Sequence, residues 1–217
     1  MPGRVTPLST DEFYHIYNRG SEKRDVFTQQ KDYKRFVKTF FYYQFLDPKP
    51  SFSKFSTSEL NIHKPNLTNK LVEIICYCLM PNHFHFLIRQ LKDNGISIFM
   101  SQLSNSYTKY FNTKYNRVGA LFQGTFKAVL VESDEQLLHL SRYIHLNPIV
   151  SGLVKDLELY PWSSYLEYTQ ELGNYCVSDQ ILSFFKSKEK YKEFVKDQVD
   201  YGTTLELIKH STLDIEG

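Results

Sequence analysis

Two histidines stand two positions apart in a segment of alternating residue types. Residues 83–90 read H-F-H-F-L-I-R-Q, an alternation typical of a strand with one buried face. Side chains two positions apart leave a strand on the same face, so His83 and His85 lie side by side while Phe84 faces the other way. Two neighbouring imidazoles can bind a divalent metal ion. An isolated H-x-H is more often a pair of polar residues on a solvated face, so this pattern needs support from elsewhere.

A second pair, Tyr143 and Asn147, stands four positions apart in a segment with helical spacing of its apolar residues. This spacing places both side chains on one face of a helix. Because Pro148 disfavours helical geometry at the residue before it, we expect the helix to end at Leu146, with Asn147 at or just past its end. An amide oxygen is a hard ligand suited to Mg²⁺ or Mn²⁺. A packed tyrosine and a capping asparagine would give the same pattern.

Together the two pairs predict a specific chemistry, provided that the helix packs across the sheet face that carries the histidines. Two imidazoles and one amide would then hold a cation with open positions beside a phenol. A tyrosine of ordinary pKa, near 10, is about 0.1% ionised at neutral pH, so forming the phenolate costs roughly 4 kcal/mol. A nearby cation lowers that cost and withdraws charge from a phosphate. Attack by the phenolate would give a tyrosyl ester that keeps the energy of the broken bond.

The surrounding sequence predicts the elements that must bring these residues together. Apolar spacing predicts strands at 12–18, 71–80, 83–90 and 127–132, and helices at 32–45, 96–115 and 133–146. The strand at 71–80 is almost continuously apolar, which is typical of a central strand. The order β-α-β-β-α-β predicts an α+β fold of the ferredoxin-like, split βαβ type, an antiparallel sheet with helices on one face.

The chain length of 217 residues fits one domain with an addition. We predict a domain over 1–165, interrupted by a polar insertion at about 47–70, and a C-terminal helical extension over 166–217. Residues 180–201 have the spacing of one or two further helices.

The overall charge does not by itself indicate a nucleic-acid-binding protein. The net charge is only +2, so any basic surface must be local. The three cysteines form no disulfide framework and are expected to be reduced, buried thiols. The N-terminal residues are polar and no apolar run reaches about 18 residues, so we expect a cytoplasmic protein without a membrane segment.

Six motifs follow one another along the chain. They are H-I-Y-N-R-G at 15–20, C-L-M-P-N-H-F-H-F at 78–86, G-A-L-F-Q-G-T-F-K at 119–127, R-Y-I-H-L-N-P at 142–148, Y-P-W-S-S-Y at 160–165 and I-L-S-F-F…Y-K-E-F-V at 181–195. In this order they resemble the REP-associated tyrosine transposases, relatives of the single-tyrosine insertion-sequence transposases. The likeness runs from about residue 13 to about residue 200, and the motifs are weak singly but specific together.

The resemblance implies an HUH endonuclease fold and a role for each residue of the two pairs. His83 and His85 would be the HUH histidines that bind Mg²⁺ or Mn²⁺, and Asn147 would complete the metal shell. Tyr143 would form a 5′-phosphotyrosine and release a 3′-hydroxyl. The substrate would be single-stranded DNA with hairpin ends, and the enzyme could act as a monomer or a homodimer.

Basic and amide side chains near the predicted site are candidates for DNA contacts, although a solvated surface charge is the commoner role for each one alone. The candidates are Arg19, Lys23, Arg24, Lys109, Arg117, Gln123 and Lys127, of which Gln123 could read base edges.

Alternatives remain open at this point. Tyr107 and Tyr110 are rival nucleophiles on another helix, and His139 lies one turn before Tyr143 as a rival ligand or proton shuttle. A replication-initiator or relaxase-like HUH nuclease would share the metal site. A non-catalytic ferredoxin-like module would bind nucleic acid without cleaving it.

Overall fold

The computed structural model describes residues 8–46, 52, 69–170, 172–173 and 175–198. Most of the polar insertion predicted at about 47–70, and the last residues of the helices predicted at 180–201, lie outside the described residues. None of the helices in the described ranges is both long enough and apolar enough to cross a membrane.

The predicted order of elements is confirmed. The elements are β1 (Phe13–Arg19), α1 (Gln30–Tyr43), β2 (Val72–Met80), β3 (His83–Gln90), α2 (Gly95–Lys114), β4 (Lys127–Val131), α3 (Asp134–Val150), α4 (Tyr165–Gln170), α5 (Asp179–Leu182) and α6 (Lys188–Lys196). The four strands form one sheet in the order β2-β3-β1-β4 with antiparallel neighbours. Because β3 lies between β1 and β2, this is the split βαβ arrangement of the ferredoxin-like fold.

The sheet is covered on both faces. Helices α1 and α2 pack on one face, in a core that includes Phe84 and Phe86 of β3. On the opposite face α3 packs against β2 and β3, and the C-terminal helices join it in a second core. The prediction of helices on one face therefore holds for α1 and α2 only, because α3 and the C-terminal extension cover the other face.

Strand β2 lies at the edge of the sheet, so the prediction of a central strand was wrong. Its apolar run has another cause, because both of its faces are buried in the two cores. Its outer edge is paired with residues 162–164, just before the C-terminal extension. The Leu79 N–H donates to the Trp162 carbonyl at 2.9 Å, and the Ser164 N–H donates to the Tyr77 carbonyl at 3.0 Å. This segment thus satisfies backbone groups that an open edge strand would expose.

Helix α3 continues through Pro148, so the predicted end at Leu146 was also wrong. A proline inside a helix lacks one hydrogen bond, and the packing of α3 on the sheet compensates for that loss. The helix ends instead at Val150, and Gly152 just beyond it has a φ of 72°, the left-handed conformation common after a helix C-terminus. The Leu153 N–H donates back to the Pro148 carbonyl at 2.9 Å, a hydrogen bond that is typical of helices ending in this way.

The cysteines are free thiols, as predicted. Cys76 and Cys78 are buried on β2, and burial raises the pKa of both. Neither thiol reaches the surface.

Candidate active site

A cavity of about 560 Å³ opens between α3 and the sheet face that it covers. Its lining includes His83 and His85 from β3 and Tyr143 and Asn147 from α3. The structure therefore brings together the four residues that spacing in the sequence had singled out, from segments about 60 positions apart.

The strand pattern explains why the histidines face this cavity. Phe84 and Phe86 are buried in the core under α1 and α2, so the alternate residues His83 and His85 face α3. The two imidazole rings are perpendicular, with centroids 5.0 Å apart. Strand β1 lies alongside β3 and places Tyr17 opposite His85 in the register.

Each cavity histidine has one ring nitrogen in a hydrogen bond within the protein. His83 Nδ1 lies 2.6 Å from Asn82 Oδ1, and His85 Nδ1 lies 2.9 Å from His15 Nε2. In both rings Nε2 is thus the nitrogen that remains available to a ligand in the cavity. His15 and Asn82 belong to the H-I-Y-N-R-G and C-L-M-P-N-H-F-H-F motifs, but no residue spacing predicted a role for either of them.

All three histidines are held neutral. Burial lowers the pKa of His15 to about 4. Burial, followed by the positive charge of Arg19, lowers the pKa of His83 to about 4. Burial, followed by His83 and His15, lowers the pKa of His85 well below its usual range. At neutral pH the rings therefore carry the lone pairs that metal coordination requires.

Tyr143 and Asn147 occupy successive turns of α3. The Tyr143 ring meets the His85 ring edge-on at a centroid distance of 5.5 Å, and 46% of Tyr143 is exposed. Asn147 Nδ2 donates to the Tyr143 carbonyl at 2.8 Å. The amide nitrogen is engaged in the helix, so the amide oxygen is the atom that can serve as a ligand.

The rival residues lie elsewhere. Tyr107 and Tyr110 belong to α2, which packs on the opposite sheet face. Tyr107 is fully buried and donates to the Val26 carbonyl at 2.5 Å, and Tyr110 donates to Asp32 at 3.0 Å. His139 is hydrogen-bonded to Arg142 and does not line the cavity.

A different phenol does line the cavity. Tyr17 on β1 has its ring centroid 5.9 Å from that of His85. Its place depends on the pairing of β1 with β3, which the sequence does not display. Tyr17 is therefore the second tyrosine that any test of the nucleophile must consider.

The predicted DNA contacts divide into two groups. One group lines the cavity and consists of Arg19, Gln123 and Lys127. The Gln123 N–H donates to the Arg19 carbonyl at 2.8 Å, which holds these two residues together. Lys127 is placed beside them by its pairing with Tyr17 in the sheet. The other four candidates, Lys23, Arg24, Lys109 and Arg117, do not line it. Arg24 is paired with Glu22, and Lys109 projects from α2 on the far side of the sheet.

Metal-binding clusters of three or more His, Cys, Asp or Glu side chains are absent from the described ranges. The amide oxygen of Asn147, on the same cavity wall as His83 and His85, is a donor of another type.

Comparison with known proteins shows what this chain is similar to. Residues 51–147 match the family model described as IS200-like transposases. A Haemophilus influenzae protein described as a REP-associated tyrosine transposase is 25% identical over 103 residues, which cover 43% of this chain and 58% of that protein. The match thus spans less than two thirds of that relative's length. These are the proteins that the sequence motifs resemble.

A solved structure shares the fold. It is a REP-associated tyrosine transposase bound to a REP hairpin, with a TM-score of 0.51 and 14% sequence identity. The alignment covers 80% of this chain and 89% of that one. The α+β, HUH-type fold predicted from the sequence is confirmed by this likeness and by the order of the strands.

Proposed function

We propose that this chain, whose residues 51–147 match the IS200-like transposase family model, cleaves and rejoins single-stranded DNA through a covalent bond to Tyr143. The observation that carries the proposal is the composition of one cavity wall. A half-exposed phenol, two neutral imidazoles and an amide lie together at the place where a phosphodiester can enter. These are the groups that a metal-assisted phosphoryl transfer to tyrosine requires.

The donor set fits Mg²⁺ or Mn²⁺. His83 and His85 offer lone pairs at neutral pH, and Asn147 offers a hard oxygen. Three protein ligands leave coordination positions for phosphate oxygens and water. A bound cation would polarise the phosphate and favour the phenolate.

The chain's own residues then have defined roles. The Tyr143 oxygen attacks the phosphorus, the bond from phosphorus to the 3′ oxygen breaks, and a 5′-phosphotyrosine forms. The phenol proton passes to solvent, and the departing 3′ oxygen takes up a proton to become a hydroxyl. In the reverse sense, the 3′-hydroxyl of another strand attacks the ester and releases Tyr143, so joining needs no external energy source.

We further propose that DNA with hairpin ends is the substrate, as the related transposase is bound to a REP hairpin. Arg19 and Lys127 would neutralise phosphates at the cavity, and Gln123 would contact a base edge. Lys23, Arg24, Lys109 and Arg117 could contact only DNA that extends beyond the cavity. The chain could act alone or as a homodimer.

The test is formation of a covalent adduct. The full chain is incubated with labelled single-stranded hairpin DNA and Mg²⁺ or Mn²⁺, and the products are separated under denaturing conditions. We expect an adduct with the wild type and with Tyr17→Phe, and none with Tyr143→Phe or after chelation of the metal. Mass spectrometry of the digested adduct should place the nucleotide on the peptide that contains Tyr143.

Other results would contradict the proposal. An adduct that persists in Tyr143→Phe and disappears in Tyr17→Phe would make Tyr17 the nucleophile. An adduct without joining to a second strand would favour a replication-initiator or relaxase-like nuclease. Binding without any adduct, unaffected by chelator, would favour a non-catalytic nucleic-acid-binding module.

A further inference from the structure

We propose that Asn82 and His15 are positioning residues that fix the tautomers of His83 and His85, so that both rings present Nε2 to the metal ion. The inference rests on the proposed function, because it assigns roles around the proposed metal site. Neither residue is itself a ligand. Asn82 and His15 are absent from the cavity lining, and each acts through the histidine that it contacts.

The orientation of the Asn82 amide is set by a contact on its other side. Asn82 Nδ2 donates to the Lys23 carbonyl at 3.2 Å, which directs Oδ1 towards His83 Nδ1 at 2.6 Å. An amide oxygen can only accept a hydrogen bond, so His83 Nδ1 must carry the proton. A neutral imidazole protonated at Nδ1 has its lone pair on Nε2, the nitrogen that remains available to a ligand in the cavity.

His85 and His15 are two neutral rings joined by one hydrogen bond, and either ring can be its donor. The rings are stacked at an interplanar angle of 22°, and Nδ1 of His85 lies 2.9 Å from Nε2 of His15. If His85 Nδ1 donates, its Nε2 has a lone pair for a metal ion. If His15 donates, His85 Nε2 carries a proton and cannot coordinate. A metal ion at His85 therefore requires His15 to be the acceptor.

Both contacts come from outside β3. Asn82 is the last residue of the turn that leads into this strand, and His15 lies on the neighbouring strand β1. Metal-bound histidines generally donate their second N–H to a fixed acceptor, and loss of that acceptor typically weakens metal binding about 10- to 100-fold. If Asn82 and His15 only provided hydrogen-bond partners for buried polar atoms, a folded variant of either residue would bind the metal ion as tightly as the wild type.

The first experiment measures Mn²⁺ binding to the metal-free full chain, without DNA, from the electron paramagnetic resonance signal of free Mn²⁺. His15→Phe keeps an aromatic ring but removes the acceptor, and His15→Gln restores an acceptor. Asn82→Ala and Asn82→Asp form the matching pair. We expect roughly 10- to 100-fold weaker binding for His15→Phe and Asn82→Ala, and affinities within about threefold of wild type for the two variants that retain an acceptor.

The second experiment reads the tautomers directly. Long-range ¹H–¹⁵N correlation spectra of the ¹⁵N-histidine-labelled, metal-free wild type should show His83 protonated at Nδ1. Saturation with diamagnetic Mg²⁺ should show His85 protonated at Nδ1 as well. His83 protonated at Nε2 would overturn the role of Asn82. This readout on the wild type remains decisive even if circular dichroism shows that a variant is unfolded.

The two proposals fail in different ways. Absence of Mn²⁺ binding by the wild type would remove the metal site of the proposed function. Normal binding by the wild type, together with unchanged affinity in folded His15→Phe and Asn82→Ala, would overturn only the positioning roles.

Discussion

Positive charge at the cavity comes from Arg19 and Lys127, which stand at one end of the neighbouring strands β1 and β4. The whole chain has a net charge of only +2, so these two side chains set the local field more than the bulk charge does. Lys127 is exposed and pairs with Tyr17 in the register, directly beside the histidines. It is therefore the residue at which a phosphate contact is tested most directly.

Replacement of Lys127 by alanine should weaken binding of single-stranded DNA by a similar factor for every sequence. Loss of one phosphate contact should also reduce the slope of log affinity against log salt by about 0.7. The measurement is fluorescence anisotropy with a labelled oligonucleotide over a series of salt concentrations. The matched control is Lys38→Ala, an exposed lysine on α1 across the sheet, which should leave both quantities unchanged. Equal effects of the two substitutions would refute a contact at the cavity.

Residue spacing predicted the four residues on the cavity wall but not the residues that surround them. His83 and His85 share a strand face, and Tyr143 and Asn147 share a helix face, so spacing within one element was sufficient. His15 and Tyr17 reach the site only through the pairing of β1 with β3. That register is a property of two segments about 70 residues apart, and no periodicity within either segment contains it.

At the scale of elements, the order and type of the core strands and helices were predictable, and two details were not. Strand β2 was predicted to be central because its apolar run indicates that both of its faces are buried. Such a run contains no information about whether the edges of the strand are paired. Helix α3 was predicted to end at Leu146 because of Pro148, yet its packing on the sheet outweighs the hydrogen bond that the proline lacks. The sequence signal for its true end was Gly152, because glycine is the preferred residue at the left-handed position that follows a helix C-terminus.

One buried carboxylate ties α1 to α2. Asp32 has a fully buried side chain and accepts hydrogen bonds from Lys114 at 2.5 Å, Tyr115 at 2.7 Å, Thr28 at 2.9 Å and Tyr110 at 3.0 Å. Burial raises the pKa of Asp32, but these hydrogen bonds outweigh it and lower the pKa to about 2. The charged carboxylate therefore stabilises the packing of the two helices.

Asp32→Asn should lower the free energy of unfolding near neutral pH by at least about 2 kcal/mol, because a buried hydrogen-bonded network loses its charge. Because the pKa of Asp32 is lower in the folded than in the unfolded state, its carboxylate stabilises the fold fully above the unfolded-state pKa of 3.8. This stabilisation is lost as the pH falls towards about 2, the pKa in the folded state. The difference between variant and wild type should therefore shrink by roughly half between pH 7 and pH 3. Urea unfolding at a series of pH values measures this.

The control for Asp32 is an exposed carboxylate with an ion-pair partner. Glu22 lies 2.5 Å from Arg24, with 82% of its side chain exposed. Glu22→Gln should have no measurable effect, since solvent screens such pairs. A cost for Asp32→Asn that is the same at pH 3 and pH 7 would show that packing alone, without charge, explains the effect.

At the scale of the whole molecule, the sheet has a core on each face, and the C-terminal extension supplies much of the second one. Tyr168, Tyr191 and Val195 of the extension are fully buried in the same cluster as residues of β2 and α3. A domain boundary at 165 remains a prediction from the sequence. The described part of the extension nevertheless shares its core with the sheet, so we expect the two to unfold together.

A buried polar network joins the extension to the helix that carries Tyr143. His145 of α3 contacts the Tyr191 hydroxyl through Nδ1 at 2.7 Å and the Ser164 hydroxyl through Nε2 at 2.8 Å. Burial lowers the pKa of His145 to about 3, so the ring is neutral and needs one donor and one acceptor as neighbours. The position of Tyr143 over the cavity thus depends in part on residues far along the chain.

Tyr191→Phe should lower the free energy of unfolding by about 1–3 kcal/mol, because it leaves a buried nitrogen of His145 without its hydroxyl partner. Tyr165→Phe is the matched control. Its hydroxyl is equally buried and has no hydrogen-bond partner within the described part of the chain, so its removal should be neutral or stabilising. Urea unfolding is followed by far-ultraviolet circular dichroism and by fluorescence of Trp162, the single tryptophan.

The two signals also test whether the molecule unfolds as one unit. Trp162 stacks on Tyr33 of α1 at a centroid distance of 4.7 Å, so its fluorescence reports the contact between α1 and residues 162–164, which pair with the edge of β2. Coincident transitions by both probes, shifted together in Tyr191→Phe, are expected if the two cores form a single cooperative structure. A fluorescence midpoint that stays fixed while the circular dichroism midpoint moves would show that the C-terminal extension unfolds separately from the sheet.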